Sequence, residues 1–348
     1  GPKYMDQELI VGASPHLRAR QGISSIMWNV SLALLPAVAI SLYFFGLGGL
    51  RTYVLSIASA LVAEAICLKM RDKPLDLLLD GSAVLTGLLF AMVIPPYVAW
   101  YVPVVGASFA VAITKQAFGG LGNNIWNPAL SARIFVQFAY SDQISLSKWP
   151  VPNLLWGQLG DAFTAASPYA QGVDAVTMAT PLNKGVGEQV WSYTDLLMGN
   201  AVNGCLGETC KLALICGGLY LIAKHIIDWR VPVAFIGTVF ALTWLLPQPA
   251  GQPAHLGDPL YQILAGGLMI GAFYMATDMV TTPVTRMGRL VFGIGCGVLT
   301  AVIRRYGGYP EGVCYSIVLM NTATPLIDRW IKPRVYGSKT PKPGAESA

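Results

Sequence analysis

Charged residues are scarce in this chain of 348 residues. Asp, Glu, Lys and Arg make up 12% of it, about half the usual share, whereas hydrophobic residues make up 54%. So few charges cannot cover a soluble protein of this size, which excludes an ordinary soluble domain. The net charge of +5 comes from short basic clusters between apolar runs, and this excludes a nucleic-acid interface. The composition therefore predicts a protein that lies in a membrane.

The sequence also lacks the common motifs of soluble redox, nucleotide and hydrolytic chemistry. It has no P-loop, no Gly-x-Gly-x-x-Gly and no Ser/His/Asp hydrolase pattern. Its three histidines are far apart, and its six cysteines include no Cys-x-x-Cys, which disfavours a metal or iron–sulfur site. The spacing of Cys205 and Cys210 leaves open both a disulfide and two free thiols. No catalytic residue and no metal ligand is predicted.

Long apolar runs dominate what is present. A helix needs about 20 mostly apolar residues to cross a hydrocarbon core of about 30 Å, and runs that approach or meet this length are bounded by Pro and Gly pairs. The ten predicted spans are 26–46, 52–69, 77–95, 98–116, 126–140, 211–227, 231–247, 260–277, 287–304 and 311–328. The predicted fold class is an all-α polytopic membrane protein.

The distribution of Lys and Arg orients these spans, because both accumulate on the cytoplasmic side of membrane proteins. With the N-terminus inside, sixteen of the 23 basic residues are cytoplasmic and six are external, and Arg133 lies within a span. Both termini are therefore predicted to be cytoplasmic. The predicted order is a cytoplasmic N-terminal segment at 1–25, a five-helix repeat at 26–140, an external loop at 141–210, a second five-helix repeat at 211–328, and a cytoplasmic tail at 329–348.

The two halves share landmarks in the same order. Asp80-Gly81 and Gly119-Gly120 flank two spans of the first half, as Gly266-Gly267 and Gly307-Gly308 do in the second. Because five spans per half is an odd number, the second repeat is predicted to be inverted relative to the first. Such inverted repeats form sites near the axis between the halves.

Few ionisable residues lie in or near the predicted spans. Intramembrane charge costs several kcal/mol unless it is paired or hydrated, so each such residue is a functional candidate. Asp80, Asp278 and Glu64 are assigned to an ion path or to cofactor support, and Arg133 to cofactor binding. The alternative is that Asp80 and Asp278, like Lys115, lie at span ends, where they cap helices or extend to the interface.

One motif stands in the external loop, Asp174-Ala175-Val176-Thr177-Met178-Ala179-Thr180. It resembles the flavinylation motif Asp-x-x-(Ser/Thr)-x-Ala-Thr, in which a flavin transferase outside the membrane esterifies the last Thr with the phosphate of FMN. Thr180 is the predicted attachment site, with Asp174 and Thr177 as recognition groups, Ala179 as the small neighbour, and Met178 where Gly is common. The same Ala-Thr-Pro-Leu ending recurs around Thr324, but inside the last predicted span and without the upstream Asp and Thr.

With this motif, essentially the whole chain resembles one family: the D subunits of Rnf complexes, which are ion-translocating ferredoxin:NAD oxidoreductases, and the related B subunits of sodium-pumping NADH:quinone reductases. The resemblance extends to several further runs. They are Ser14-Pro15-His16, the run from Asp80 to Leu89, the run from Asn127 to Arg133, the run from Phe273 to Asp278, and the run from Arg304 to Gly312.

The resemblance implies a component of a redox-driven translocase in a bacterial inner membrane, not catalytic alone. Electrons would pass from a flavin on the G subunit to FMN on Thr180, then through a non-covalent riboflavin between the repeats to the cytoplasmic face, while Na⁺ or H⁺ crosses. Implied partners are the A, B, C, E and G subunits of the Rnf complex, a flavin transferase and membrane lipid.

Two other functions remain open on the sequence alone. A channel or secondary transporter for a small solute could use the same inverted repeat without redox chemistry. A structural anchor could carry the motif as a vestige. Covalently bound flavin separates the transporter from the redox protein, and electron transfer in a Thr180 variant separates the redox protein from the anchor.

Overall fold

The structure is a computed structural model that describes residues 22–141, 143–144, 149–150, 177–178, 181–182, 192–199, 204–247, 253–307 and 311–332. The predicted flavin attachment site, Thr180, and its neighbours Asp174 and Ala179 lie outside the described residues. So do nearly all of the predicted N-terminal segment with its Ser14-Pro15-His16 run, most of the external loop, and most of the C-terminal tail.

Helices make up most of the described chain, which confirms the predicted all-α class. They are α1 Ile23–Met70, α2 Ser82–Met92, α3 Tyr101–Phe109, α4 Pro128–Ala139, α5 Tyr193–Met198, α6 Lys211–Ala223, α7 Arg230–Leu245, α8 Pro259–Leu264, α9 Leu268–Ile270, α10 Arg286–Tyr306 and α11 Val313–Trp330. π-Helical turns extend α3 over Ala110–Gln116 and α9 over Gly271–Met275, and short 3-10 helices span Leu75–Asp80, Leu206–Glu208 and Ala254–Gly257. A small departure from the all-α class is an antiparallel pair of two-residue strands, β1 Trp149–Pro150 and β2 Thr177–Met178.

Helix α1 is a hairpin rather than a straight rod. Gly46 interrupts it with φ 54° and ψ −135°, a conformation that glycine adopts without strain. The Ser41 and Tyr53 hydroxyls lie 2.9 Å apart, although twelve helical residues would separate them by about 18 Å along a straight helix. The two legs therefore lie side by side and correspond to the first two predicted spans.

Each of the other eight predicted spans also contains helix, but much of it is short. Among the described residues, only α1 and α10 are long and apolar enough to cross a membrane. α2 has 11 residues and α4 has 12, so each rises less than about 20 Å. The predicted ten crossing helices in an inverted repeat are therefore not confirmed. The physical reason is that glycine and proline residues interrupt the helices and so divide the apolar runs into partial helices.

The clearest such break separates α8 from α9. Gly266 has φ 68° between them, and a carboxylate oxygen of Glu311 accepts a hydrogen bond from the Gly267 amide at the start of α9. An interrupted helix at membrane depth is tolerated when its freed backbone groups find partners inside the protein. Such interruptions occur where transporters bind their substrates and ions.

The two halves pack into one core. Buried side chains of α1 to α4, of α6 and α7, and of α9 to α11 belong to the same apolar cluster. Hydrogen bonds also cross between the halves, from Trp126 Nε1 to Thr322 Oγ1 at 2.9 Å and from Tyr220 Oη to Asn29 Oδ1 at 2.9 Å. The interface between the halves is therefore part of the protein interior, and a site can form within it.

The outside of the bundle is strongly apolar. Large hydrophobic side chains on both legs of α1 are more than half exposed, among them Leu32, Leu35, Val54, Val62 and Ile66. A water-soluble monomer rarely exposes apolar patches of this extent. This surface is suited to contact with lipid chains.

Candidate functional site

A cavity lies between the two halves. It encloses about 760 Å³ free of protein atoms, its open mouth included. Apolar side chains from both halves, such as Leu89 and Phe273, form most of its wall, and the polar groups on it are few. An apolar cavity with a small number of placed polar groups is typical of a small-molecule site.

Two asparagines before α4 are among the polar groups of this cavity. Asn127 caps α4, accepting from the amides of Ala129 at 3.1 Å and Leu130 at 3.4 Å. Its Nδ2 atom donates to the carbonyl of Met275 in the other half, at 3.3 Å. Asn124 is 6% exposed, and its Oδ1 atom has no hydrogen-bond partner among the described residues. An unpaired buried acceptor on a cavity wall is available to a ligand's donor.

Asp278 lies in the turn after α9, on the same cavity. Burial raises the pKa of its carboxyl group, whereas hydrogen bonds from the Val280 amide and the Thr281 hydroxyl lower it. The net pKa is raised. The turn therefore places a carboxyl group with some tendency to hold a proton beside the cavity.

Lys115 reaches the cavity from the π-helical turn after α3 and forms a buried ion pair. Its Nζ atom lies 2.9 and 2.8 Å from the two carboxylate oxygens of Glu64 and 2.6 Å from the Ser82 hydroxyl. Lys115 is 1% exposed and Glu64 3%. Gln116 Nε2 donates to Glu64 at 2.6 Å. Each oxygen of the buried carboxylate therefore has a donor, as a buried charge requires.

The same network continues to Asp80. Its Oδ1 atom accepts from the Ser82 amide at 2.7 Å and from the Ser82 hydroxyl at 2.5 Å, at the start of α2. Because Ser82 also accepts from Lys115, hydrogen bonds connect half-buried Asp80 to buried Glu64. We call Glu64, Asp80, Ser82, Lys115 and Gln116 the Glu64 cluster.

A second buried group of charges, the Glu208 cluster, lies around the break between α8 and α9. It consists of Arg133, Glu208, Lys211, Arg304 and Glu311. Glu208 is 6% exposed, Lys211 1%, Arg304 5% and Arg133 6%. Lys211 donates to the Glu208 carbonyl, and Arg304 donates to the carbonyls of Gln262 at 2.6 Å and Ala265 at 3.2 Å.

The two carboxyl groups of the Glu208 cluster face each other. Burial, followed by the charge of Glu311, raises the pKa of Glu208 to about 8, although Lys211 and Arg133 lower it. Two neighbouring carboxyl groups out of water share a proton more readily than they carry two negative charges. Arg133 Nη1 has no hydrogen-bond partner among the described residues. Unlike the Glu64 cluster, this cluster is incompletely paired.

The two residues that follow the predicted flavinylation motif, Pro181 and Leu182, lie beside the Glu208 cluster. Tyr261 donates from its hydroxyl to the Pro181 carbonyl at 3.3 Å, and Leu182 is buried in a small apolar cluster with Leu196, Leu256, Tyr261 and Ala265. A Cβ atom at Gly266 would come within 3.2 Å of Leu182, Glu311 and Arg304. The two residues that follow Thr180 are therefore fixed against the protein.

The structure brings some of the predicted site residues together and separates others. Glu64 and Asp80 share one cluster, Asp278 lies on the adjoining cavity, and Arg133 belongs to the Glu208 cluster. Thr177 and Met178 form β2. Cys205 and Cys210 are free thiols. Their Sγ atoms instead bond to the Val93 carbonyl at 3.0 Å and to the Ala213 amide at 3.5 Å.

Sequence reasoning missed the functional potential of Glu208, Lys211, Arg304 and Glu311. All four lie at the ends of apolar runs, where a charged residue is expected to face water. The available signal was that acidic and basic residues gather at neighbouring span ends on the predicted external side.

The described residues fit the two flavins that the sequence resemblance implies. Asn124, whose buried carbonyl oxygen lacks a partner, and the apolar walls suit the polar edge and the flat ring of a riboflavin. The fixed Pro181–Leu182 segment suits a covalently attached FMN, because it would hold the attachment point beside the protein.

Comparison with known proteins matches the chain to the family that its sequence resembles. The sequence model of the NQR2, RnfD, RnfE family matches residues 10–337. The chain is 43% identical to the D subunit of the proton-translocating ferredoxin:NAD(+) oxidoreductase complex of Clostridium ljungdahlii over 340 residues, covering 94% of this chain and 96% of that protein. It is 44% identical to the D subunit of the Na(+)-translocating ferredoxin:NAD(+) oxidoreductase complex of Acetobacterium woodii over 333 residues, covering 94% and 95%. Identity to the D subunit of the ion-translocating oxidoreductase complex of Stutzerimonas stutzeri is 40% over 338 residues, covering 91% and 93%.

Proposed function

The chain belongs to the NQR2, RnfD, RnfE family, and on that premise we propose that it is a membrane-embedded electron-transfer component of an ion-translocating ferredoxin:NAD oxidoreductase. In this proposal it carries FMN covalently on Thr180 and works only within its complex, as one part of a redox-driven translocase. Its partners are the A, B, C, E and G subunits, and a flavin transferase matures it.

One observation carries the flavin assignment: the complete motif from Asp174 to Thr180 ends at a segment that the fold holds in place. The Tyr261 hydroxyl binds Pro181, and Leu182 is buried. An attachment point next to a fixed segment limits how far a tethered group can move. Flavins supply the redox chemistry when bound, and the protein supplies position and dielectric.

The cavity between the halves is proposed as the site of a non-covalent riboflavin. Asn124, Asn127 and Asp278 would bind the polar edge of such a ring, and Leu89 and Phe273 would cover its faces. The few polar groups would orient the molecule, and the apolar wall would exclude water.

The Glu64 cluster is proposed as part of the ion path. Asp80, Ser82, Lys115 and Glu64 form an unbroken series of hydrogen bonds from a half-buried position to the edge of the cavity. Buried ionisable groups at membrane depth are typical of ion and proton paths. Two relatives of nearly equal identity are named for different ions, one for protons and one for Na⁺. Electron transfer by the reconstituted complex with and without Na⁺ distinguishes the two ions.

The proposed placement is a bacterial inner membrane, with both termini cytoplasmic and residues 141–210 outside. The excess of Lys and Arg on the predicted inner side supports it, as does the apolar outer surface. In this topology Thr180 faces the compartment in which a flavin transferase acts.

The decisive experiment replaces Thr180 by Ala in a host that has a flavin transferase. The mass of the intact chain and in-gel fluorescence are expected to report one phosphoester-linked FMN in the wild-type chain and none in the variant. Thr324→Ala is the matched control, because Thr324 stands in the same Ala-Thr-Pro-Leu context but bonds to the Thr281 carbonyl at 2.9 Å inside the bundle. Unmodified wild-type chain from such a host would refute the proposal and favour a channel or transporter.

A further inference from the structure

A second and more polar cavity opens where α6 ends and α7 and α10 begin. It encloses about 1200 Å³, open mouth included. The polar residues that line it include His225, Asp228, Arg230, Arg286 and Arg289. Apolar side chains of Ile222, Ile227, Val231 and Met279 complete the wall. The cavity is therefore amphiphilic, with cationic groups beside a hydrocarbon surface.

The positive charge of this cavity is only partly neutralised. Asp228 pairs with Arg230 at 3.0 Å and with Arg289 at 3.1 Å. Burial raises the pKa of the Asp228 carboxyl, but hydrogen bonds from the Arg230 amide and from both guanidinium groups lower it by more, so its pKa is lowered. Arg286 has no ion-pair partner among the described residues. Three arginines against one aspartate leave a net charge of +2.

The local backbone adds to this positive potential. Arg286 and Arg289 lie in the first turn of α10, which contains no acidic residue. The dipole of a helix disfavours cations at its N-terminus and favours anions there. An anion in the cavity would therefore relieve a repulsion that the described residues compensate only in part.

The neighbouring residues indicate that the cavity lies at a membrane surface. Trp229 is 52% exposed, and the Arg230 guanidinium lies 5.2 Å from the centroid of its ring. Tryptophan and arginine are enriched where the hydrocarbon core meets the head groups. An anion that binds here while contacting the apolar wall must itself be amphiphilic.

We infer that this cavity binds the phosphate head group of an anionic phospholipid, with its acyl chains on the apolar wall. Arg286 and Arg289 would contact the phosphate, and Asp228 would limit the affinity by competing for Arg230 and Arg289. Basic pockets between membrane helices bind acidic lipid head groups in this way. The inference does not depend on the proposed flavin.

Native mass spectrometry of the full-length chain in detergent tests the inference, with phosphatidylglycerol, phosphatidylcholine or inorganic phosphate added in separate arms. Phosphatidylglycerol is expected to form a one-to-one adduct that phosphatidylcholine does not form, and inorganic phosphate is expected not to displace it. Arg286→Gln should weaken that adduct by roughly fivefold, since one basic residue near a lipid phosphate contributes about that factor.

Asp228→Asn provides a change of opposite sign, because it frees Arg230 and Arg289 for the lipid. We expect it to tighten the adduct by a factor of a few. The control is Arg329→Gln, which removes an exposed arginine at the end of α11, outside the cavity, and should change nothing. Equal binding by wild type and Arg286→Gln would overturn the inference. So would equal adducts with phosphatidylcholine, displacement by inorganic phosphate, or weaker binding by Asp228→Asn.

Discussion

The Glu64 cluster and the Glu208 cluster occupy places that the predicted repeat pairs with each other. Each adjoins a short helix that is preceded by a glycine of positive φ, Gly81 before α2 and Gly266 before α9. In each, a carboxylate binds the amide at the start of that helix, from Asp80 in one half and from Glu311 in the other. The same backbone geometry is therefore combined with different arrangements of charge.

The difference lies in how completely the charges are paired. In the Glu64 cluster one carboxylate meets one ammonium group and an amide, and each of its oxygens has a donor. In the Glu208 cluster two carboxyl groups face each other, and one guanidinium nitrogen has no hydrogen-bond partner among the described residues. We expect neutralising one residue to cost more stability in the first cluster than in the second.

The largest expected effect is that of Glu64→Gln. It leaves the Lys115 ammonium buried without its counter-charge, and breaking a buried ion pair in this way costs about 3–5 kcal/mol. Thermal unfolding of the purified protein in detergent should show a correspondingly large loss of stability. Replacing both partners, Glu64→Gln with Lys115→Met, should restore much of it, because an uncharged pair leaves no buried ion. A double variant as unstable as the single variant would contradict the ion-pair explanation.

A smaller effect is expected for Ser82→Ala. The change removes the hydroxyl that accepts from Lys115 at 2.6 Å and donates to Asp80, and a hydrogen bond to a charged group contributes about 1.5–3 kcal/mol. Ser59→Ala is the matched control, since among the described residues the Ser59 hydroxyl bonds to carbonyls of its own helix alone. Equal unfolding temperatures for the two variants would show that Ser82 does not connect Asp80 to the ion pair.

The smallest effect on stability is expected for Glu208→Gln at mildly acidic pH, at most about 1 kcal/mol near the unfolded pKa of about 4.3, because a neutral amide then replaces a carboxyl group that holds a proton in the fold. Its sign should depend on pH. Since the pKa of Glu208 is raised on folding, to about 8, the wild type loses stability as the pH rises from the unfolded pKa of about 4.3 towards that value. Glu208→Gln removes this loss.

The measurement is the difference in unfolding free energy between Glu208→Gln and wild type at several pH values. The difference should move in favour of the variant as the pH increases. A variant that becomes relatively less stable with rising pH would show that Glu208 is ionised in the fold and is paired in the same way as Glu64.

The sequence predicted the all-helical class and the approximate positions of the helices outside the external loop, because apolar composition and Gly or Pro breaks act locally. It also singled out Glu64 and Arg133 as functional candidates, because burying a charge in a membrane span costs free energy unless the charge is paired or hydrated. It did not reveal the partner of Glu64, because Lys115 is 51 residues away and was placed at a span end. Pairings between distant residues depend on packing, which periodicity does not encode.

Helix lengths were predicted poorly for a related reason. Hydrophobicity alone cannot distinguish a helix that crosses the membrane from a partial helix followed by an apolar turn. The break at Gly266 depends on Glu311, whose carboxylate accepts a hydrogen bond from the amide of Gly267, 44 residues earlier in the chain. The glycine pair was visible in the sequence, but the residue that makes the break tolerable was not.

The glycine at the turn of α1 has a consequence for biogenesis. A Cβ atom at Gly46 would meet nothing within 4 Å, so a larger residue is disfavoured there by backbone conformation and not by lack of space. Without the turn, 48 residues of helix would form a single rod about 72 Å long. The polypeptide would then cross the bilayer once instead of twice in this region. In the proposed topology, the loss of one crossing would move every later segment to the opposite side of the membrane.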